Sequence, residues 1–199
     1  QKSIEYYTKA IELAPEKDNY YYRRTTPYEE LEMYAEAEAD YLKAIELDPE
    51  YENYYLYLGN LYSGDLEEPE KAIAQYLKIL DFNPEYVDAY NNIGNTYFNL
   101  KNYDRAEEYF FKAIKADSLN PFPYGNLGII SDNREEYKKS IEYYTKAIEL
   151  APEDDYNYYK RTTPYENLEM YAEAEADYLK AIELDPEDED YYYYLGNLY

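Results

Sequence analysis

Cysteine, histidine and tryptophan are absent from the 199 residues. Without cysteine there is no disulfide framework and no thiolate nucleophile. Without histidine the usual general base and the commonest metal ligand are missing. No glycine-rich phosphate loop occurs, and no nucleophile–base pair can be assembled, so no catalytic residue, metal ligand or cofactor is expected. Positive charge is scarce as well: 19 basic residues stand against 44 acidic ones, a net charge of −25. A chain this acidic repels phosphate backbones and anionic lipid surfaces, which argues against nucleic acid and membrane-surface partners. No apolar run approaches the roughly 20 residues of a membrane helix, so no membrane insertion is expected. The lack of cysteine leaves extracellular and cytoplasmic settings both open.

Tyrosine is the residue in excess, with 34 copies. Its distribution follows an internal repeat. "KAIELAP" at 9–15 returns as "KAIELDP" at 43–49, "KILDFNP" at 78–84, "KAIKADS" at 112–118, "KAIELAP" at 146–152 and "KAIELDP" at 180–186, at steps of 34 or 35 residues. Between these blocks apolar residues recur at three- and four-residue spacing; Tyr103, Ala106, Phe110, Ala113 and Ile114 fall on one helical face. The pattern predicts two antiparallel amphipathic helices per repeat.

In one repeat Tyr90, Ile93, Gly94 and Tyr97 mark the first helix, and Ala106, Phe110 and Ala113 the second. In another the same roles fall to Tyr55, Leu58, Gly59, Tyr62, Ala72, Tyr76 and the closing Pro84. This pattern resembles the tetratricopeptide repeat, and the resemblance covers the whole chain. It implies an all-α solenoid of antiparallel helix pairs wound into a superhelix, with helix A lining a concave side and helix B behind it. The expected organisation is a single array: a half repeat (helix B) at 1–17, repeats at 18–51, 52–86, 87–120, 121–154 and 155–188, and a half repeat (helix A) at 189–199. Twenty of the tyrosines fall at the family's four aromatic positions. The others, among them Tyr20, Tyr22, Tyr57, Tyr156, Tyr159 and Tyr193, either pack between turns or form an aromatic contact surface.

A second period lies over the first. Residues 3–62 reappear as 140–199 with eight differences in 60, as duplication of a four-repeat cassette would produce. The sequence opens on Gln1 rather than Met and closes inside "YYYYLGNLY". The expectation is a window on a longer array, or subunits that stack end to end into a filament. The interface residues expected for either joint are Ile4, Tyr7, Ala10 and Ile11 on one side and Tyr192, Leu195, Gly196 and Tyr199 on the other. A contact of this kind does not close on itself.

The alternative is an adaptor that binds a peptide or partner protein in the concave groove. The resemblance places Asn60, Asn91, Asn92, Asn95, Asn126 and Asn133 there, and asparagine can both donate to and accept from a peptide backbone. Hydration and packing against neighbouring helices is the competing reading. The basic clamp that some family members use for carboxylate tails is mostly missing, with only Arg23 and Lys160 in comparable places. A neutral or basic peptide is therefore the expected class of ligand, and the chain itself or another protein the expected partner.

Two segments depart from the pattern: "RRTTPYEEL" at 23–31 and "KRTTPYENL" at 160–168. Thr25 and Thr162 stand where glycine is usual, and Pro27 and Pro164 fall inside helix A. The prolines predict a kink or break, with Thr26 and Glu29 able to cap a fresh helix. Thr25, Thr26, Thr162 and Thr163 are candidates for hydroxyl glycosylation. "DPEDEDY" at 185–191 lacks the spacing and glycine of a calcium loop and reads as a solvated turn.

Overall fold

The computed structural model describes all 199 residues, Gln1–Tyr199. They form twelve α-helices and no strands: α1 (Lys2–Leu13), α2 (Asp18–Glu29), α3 (Tyr34–Leu47), α4 (Glu52–Ser63), α5 (Pro69–Phe82), α6 (Val87–Asn99), α7 (Tyr103–Ala116), α8 (Phe122–Asn133), α9 (Tyr137–Leu150), α10 (Asp155–Asn167), α11 (Tyr171–Leu184) and α12 (Glu189–Leu198). The chain divides into two compact units, Gln1–Thr96 and Tyr97–Tyr199. In the first, α1 packs on α2, α2 on α3, α3 on α4 and α4 on α5. In the second, consecutive helices from α7 to α12 pack in the same way, and α10 also touches α8. The fold is an α-solenoid of helical hairpins, as the periodicity predicts.

Small residues permit the close approach. Ala37, Ala44, Ala72, Ala106, Ala113, Ala147, Ala174 and Ala181 are all fully buried. Around them sit Tyr41, Leu58, Tyr76 and Ile79 in the first unit, and Phe110, Leu127, Ile130 and Tyr144 in the second.

Many of the tyrosine hydroxyls have acceptors within the fold, on backbone carbonyls or on carboxylates. In six places the helix A tyrosine at the repeat's first aromatic position donates its hydroxyl to a carbonyl six residues earlier, in the turn before the helix. Tyr21 donates to Pro15, Tyr55 to Pro49, Tyr90 to Pro84, Tyr124 to Ser118, Tyr158 to Pro152 and Tyr192 to Pro186, at 2.9–3.3 Å. Other hydroxyls reach carboxylates on neighbouring helices: Tyr41 to Glu29 (2.6 Å), Tyr178 to Glu166 (2.7 Å) and Tyr62 to Glu38 (2.5 Å). Tyr54 donates to Asp18 and Tyr191 to Asp155 in the same manner. Tyr22 packs against Tyr54 and Tyr57, and burial together with the Tyr57 hydroxyl pushes it up to about 12.

Each of the five turns between helix A and helix B contains a residue with positive φ, and in none of them is it glycine. Glu32, Glu67, Lys101, Glu135 and Glu169 lie at φ between 50° and 59°. A side chain in this region costs of order 1 kcal/mol or more, offset here by the backbone bonds that close each helix. Met33 N–H reaches the Tyr28 carbonyl at 2.8 Å, and Met170 N–H reaches Tyr165 at 2.8 Å.

Two expectations about the Thr-Thr-Pro segments are corrected. Neither helix breaks: α2 and α10 each run through their proline. The prolines lie in the last turn, where the missing N–H removes a single bond to the preceding turn and the helix is about to stop. Glu29 and Glu166 do not cap a new helix, since they accept hydrogen bonds from Tyr41 and Tyr178. The second correction concerns the hydroxyls. Thr25 and Thr162 are fully buried and donate to the carbonyls of Tyr22 and Tyr159. They occupy the glycine position of the hairpin contact and are closed to a glycan. Thr26 and Thr163 are exposed.

Candidate functional site

The duplication supplies an internal comparison, since nearly identical helices occur with and without a neighbour. In the first unit α4 is covered by α5: Tyr55 is 9% exposed, Tyr62 4% and Leu58 not at all. The equivalent residues of α12 are open: Tyr192 is 50% exposed, Tyr199 83%, and Leu195 half-buried. Glycine shows the contrast most sharply. A Cβ on Gly59 would stand 2.5 Å from the Tyr76 ring, and one on Gly128 2.7 Å from Tyr144. A Cβ on Gly196 meets nothing within 4 Å.

Helix α1 shows the complementary face. Its residues 3–13 are identical to 140–150 of α9. In α9, Tyr144 and Ala147 are fully buried and Ile148 nearly so, whereas Tyr7, Ala10 and Ile11 of α1 are half-buried, as is Ile4. Seven of the eight residues expected at the joint are thus more open than their covered twins, while Ile4 is half-buried like its twin Ile141. Each face is held by its own unit; the Tyr199 hydroxyl donates to Glu175 just as Tyr62 donates to Glu38.

The covered copies of these faces pair a hydroxyl with an acceptor as well as apolar surface. Where a tyrosine of helix B sits on helix A, its hydroxyl has an acceptor: Tyr76 donates to Asn60 at 2.8 Å and Tyr144 to Asp132 at 3.1 Å. The repeat with Phe110 in place of the tyrosine needs none. Residue Asn197 of α12 stands where α4 has Asn60, and Tyr7 of α1 stands where α5 has Tyr76.

Asp132 illustrates the cost of such an acceptor. Burial holds its carboxyl above the usual range, against the Tyr144 hydrogen bond and the nearby Ser140 hydroxyl, which pull it down. Its Oδ1 is buried without a partner. A carboxyl raised in the folded state binds its proton more tightly there than in the unfolded chain, so its unfavourable contribution is present at neutral pH and disappears as pH falls through the folded value. Asp132→Asn keeps an acceptor for Tyr144 and removes the charge. Thermal melts should show a higher midpoint than the parent at neutral pH, with the advantage vanishing in mildly acid buffer; an unchanged difference at both pH values would contradict the assignment.

The asparagines do not form one continuous ladder. Asn60 and Asn92 meet, with Asn92 Nδ2 donating to Asn60 Oδ1 at 3.2 Å. Asn91 is buried, its Oδ1 without a hydrogen-bond partner, and so lines no open surface. Asn95 is exposed at the far end of α6, and Asn126 lies half-buried on α8. Asn133 is turned back on its own helix, donating to the Ile129 carbonyl at 2.8 Å. The two cations expected near the groove are engaged with tyrosine rings: Arg23 lies 5.7 Å from the Tyr22 centroid, and Lys160 5.0 Å from those of Tyr156 and Tyr159. No cluster of three or more acidic side chains could hold a metal ion.

Sequence reasoning missed a hollow of about 280 Å³ in the second unit, between α8 and the start of α10. Its signal is Gly125, where the equivalent helix A residues are Tyr22, Leu56, Asn91, Tyr159 and Tyr193.

Models of the tetratricopeptide repeat match residues 87–118, 121–154, 20–51 and 165–188, and a TPR repeat model matches 64–101. Among solved structures, MamA is 25% identical with a TM-score of 0.69, over 85% of this chain and 92% of that one. YrrB, described as a TPR protein with an unusual peptide-binding site, is 22% identical with a TM-score of 0.65, over 94% and 96%. PilF of Pseudomonas aeruginosa is 19% identical with a TM-score of 0.74, over 91% and 86%. None of the curated proteins matches the chain.

Proposed function

We propose that the chain, which belongs to the tetratricopeptide repeat family, is a non-enzymatic protein-interaction scaffold extended end to end through the faces of α1 and α12, by association of copies or within a very long array. The repeats at 18–51 through 155–188, with half repeats on either side, act in this reading as one array. The observation that carries it is the internal comparison. The same sequence is covered in α4 and open in α12, and covered in α9 and half-open in α1.

In the docked state Tyr7 sits on Gly196 with its hydroxyl on Asn197, as Tyr76 sits on Gly59 with its hydroxyl on Asn60. Burying such aromatic surface contributes roughly 25 cal/mol per Å². The contact is heterologous, so repetition lengthens the assembly instead of closing it. Light scattering on a concentration series should show mass rising with concentration. A constant monomer mass up to high concentration overturns the self-associating reading.

The adaptor reading has one specific support, the Asn60–Asn92 pair on neighbouring A helices. The net charge of −25 favours a neutral or basic peptide there.

A further inference from the structure

A tyrosine pair fills the contact wherever the Thr-Thr-Pro helices meet the next helix A. Tyr22 packs on Tyr54 at 5.3 Å between α2 and α4, and Tyr159 on Tyr191 at 5.1 Å between α10 and α12. Between α8 and α10 the corresponding pair is Gly125 and Asn157. A Cβ on Gly125 would lie 2.8 Å from Asn157 Oδ1, so the amide is drawn against bare backbone and is itself buried. Two large rings are replaced by one short amide, and the volume they vacate is the hollow of about 280 Å³.

Its walls are of two kinds. Phe122 (68% exposed), half-buried Ile129 and exposed Tyr156 provide apolar and aromatic surface. The polar end is the carboxylate of Asp154, which caps α10 by accepting from Tyr156 N–H at 3.1 Å and from Asn157 Nδ2 at 2.8 Å. An ionised carboxylate has about four acceptor positions, so two bonds leave it able to take more. The hollow falls below the roughly 300 Å³ at which pockets for whole small molecules begin, and is of a size for one long side chain.

We propose that this hollow is the anchor subsite for an extended partner segment and takes one arginine or lysine side chain, its stem between Phe122 and Tyr156 and its charged head on Asp154. Aromatic walls favour a cation lying across them, and a guanidinium pairs with a carboxylate in a fork. Glu153 and Asp155 flank the cap in sequence and the chain as a whole carries −25, which offsets the partial positive charge of the α10 N-terminus. Lys160, the cation one turn further along α10, is drawn over the Tyr156 and Tyr159 rings. An acidic or purely apolar anchor would leave Asp154 repelled or uncompensated. The inference rests on the interaction-scaffold reading and is independent of the end faces.

The test is titration of the isotope-labelled full chain with a blocked Ser-Gly-Ser-Arg-Ser-Gly-Ser peptide, and with the same peptide carrying norleucine or glutamate in place of arginine. The arginine peptide should shift the amide signals of Phe122, Tyr156 and Asn157 and bind at least fivefold more tightly than the norleucine one. Asp154→Asn, which still caps the helix, should abolish that preference. Phe122→Ala, at an exposed ring, should weaken both peptides. Equal binding of the norleucine or glutamate peptide, shifts confined to other residues, or no shifts at millimolar peptide would overturn the subsite. Those outcomes with self-association intact would leave the scaffold reading standing.

Discussion

Replacing Arg24 with leucine is expected to cost about 3–5 kcal/mol, the range for breaking a buried ion pair by removing one partner. Arg24 lies at a helix A position that carries Leu58, Ile93 and Leu127 in other repeats. Its guanidinium reaches Asp40 through Nε and Nη2, each at 2.8 Å, and the Thr8 hydroxyl through Nη1 at 2.8 Å. One side chain thereby ties α1, α2 and α3 together. The pair is nearly out of solvent, with side chains 14% and 7% exposed. Asp40 also holds the guanidinium above its usual range. Without Arg24, Asp40 keeps its charge in a place that water does not reach. The double change Arg24→Leu, Asp40→Gln restores the combination that Leu58 and Gln75 make one repeat later, and should recover most of the loss. The second cassette repeats the device with Arg161, Asp177 and Thr145 at the same distances. Urea denaturation followed by circular dichroism tests it; a double variant as unstable as the single one would show that the pair does more than satisfy itself.

The second large effect is a reversal of sign among three glycines. In an exposed helix interior, glycine to alanine gains about 1 kcal/mol. At Gly59 and Gly128 the added methyl meets a buried ring that cannot retreat, because Tyr76 and Tyr144 are held at their hydroxyls by Asn60 and Asp132. Overpacking of that kind costs roughly 1–3 kcal/mol and should exceed the helical gain. At Gly196 the space is open, so alanine should stabilise α12 by up to about 1 kcal/mol in dilute solution. Thermal midpoints of Gly59→Ala, Gly128→Ala and Gly196→Ala check this directly. A shift in the same direction for all three would mean that Gly196 is already covered, or that the rings yield.

The helices were legible because amphipathic spacing is a local property repeated six times, and one chance match could not sustain it. Of the kink or break expected at the prolines, the break does not occur: periodicity does not say whether a position is mid-helix or in the last turn, and two residues decide whether a proline breaks or merely ends a helix. The five left-handed turns carry glutamate or lysine, so the usual glycine signal is missing there. The burial of Thr25 and Thr162 was implicit in their standing at a glycine position, but their hydroxyls suggested a surface. Arg24 and Arg161 were passed over although a charge on an apolar stripe, sixteen residues before an aspartate and repeated in both cassettes, is a readable sign. The Gly125 hollow needed comparison of one position across all repeats. The duplication provides most residues of the α1 and α12 faces with a covered twin, which is why those positions could be read from the repeat pattern; their role in a joint is the proposal made above.

The central claim is that the α1 and α12 faces complement each other, and a mixing experiment tests it most directly. Gly196→Arg blocks the α12 face and leaves α1 free; Tyr7→Arg blocks α1 and leaves α12 free. In sedimentation velocity at matched concentration, the unmodified chain should form a ladder of species that grows with concentration, and each variant alone should remain monomeric. The equimolar mixture of the two variants should stop at the dimer, through the one intact pair of faces. A mixture that stays monomeric while the unmodified chain assembles, or variants that assemble as well as the parent, would contradict the account.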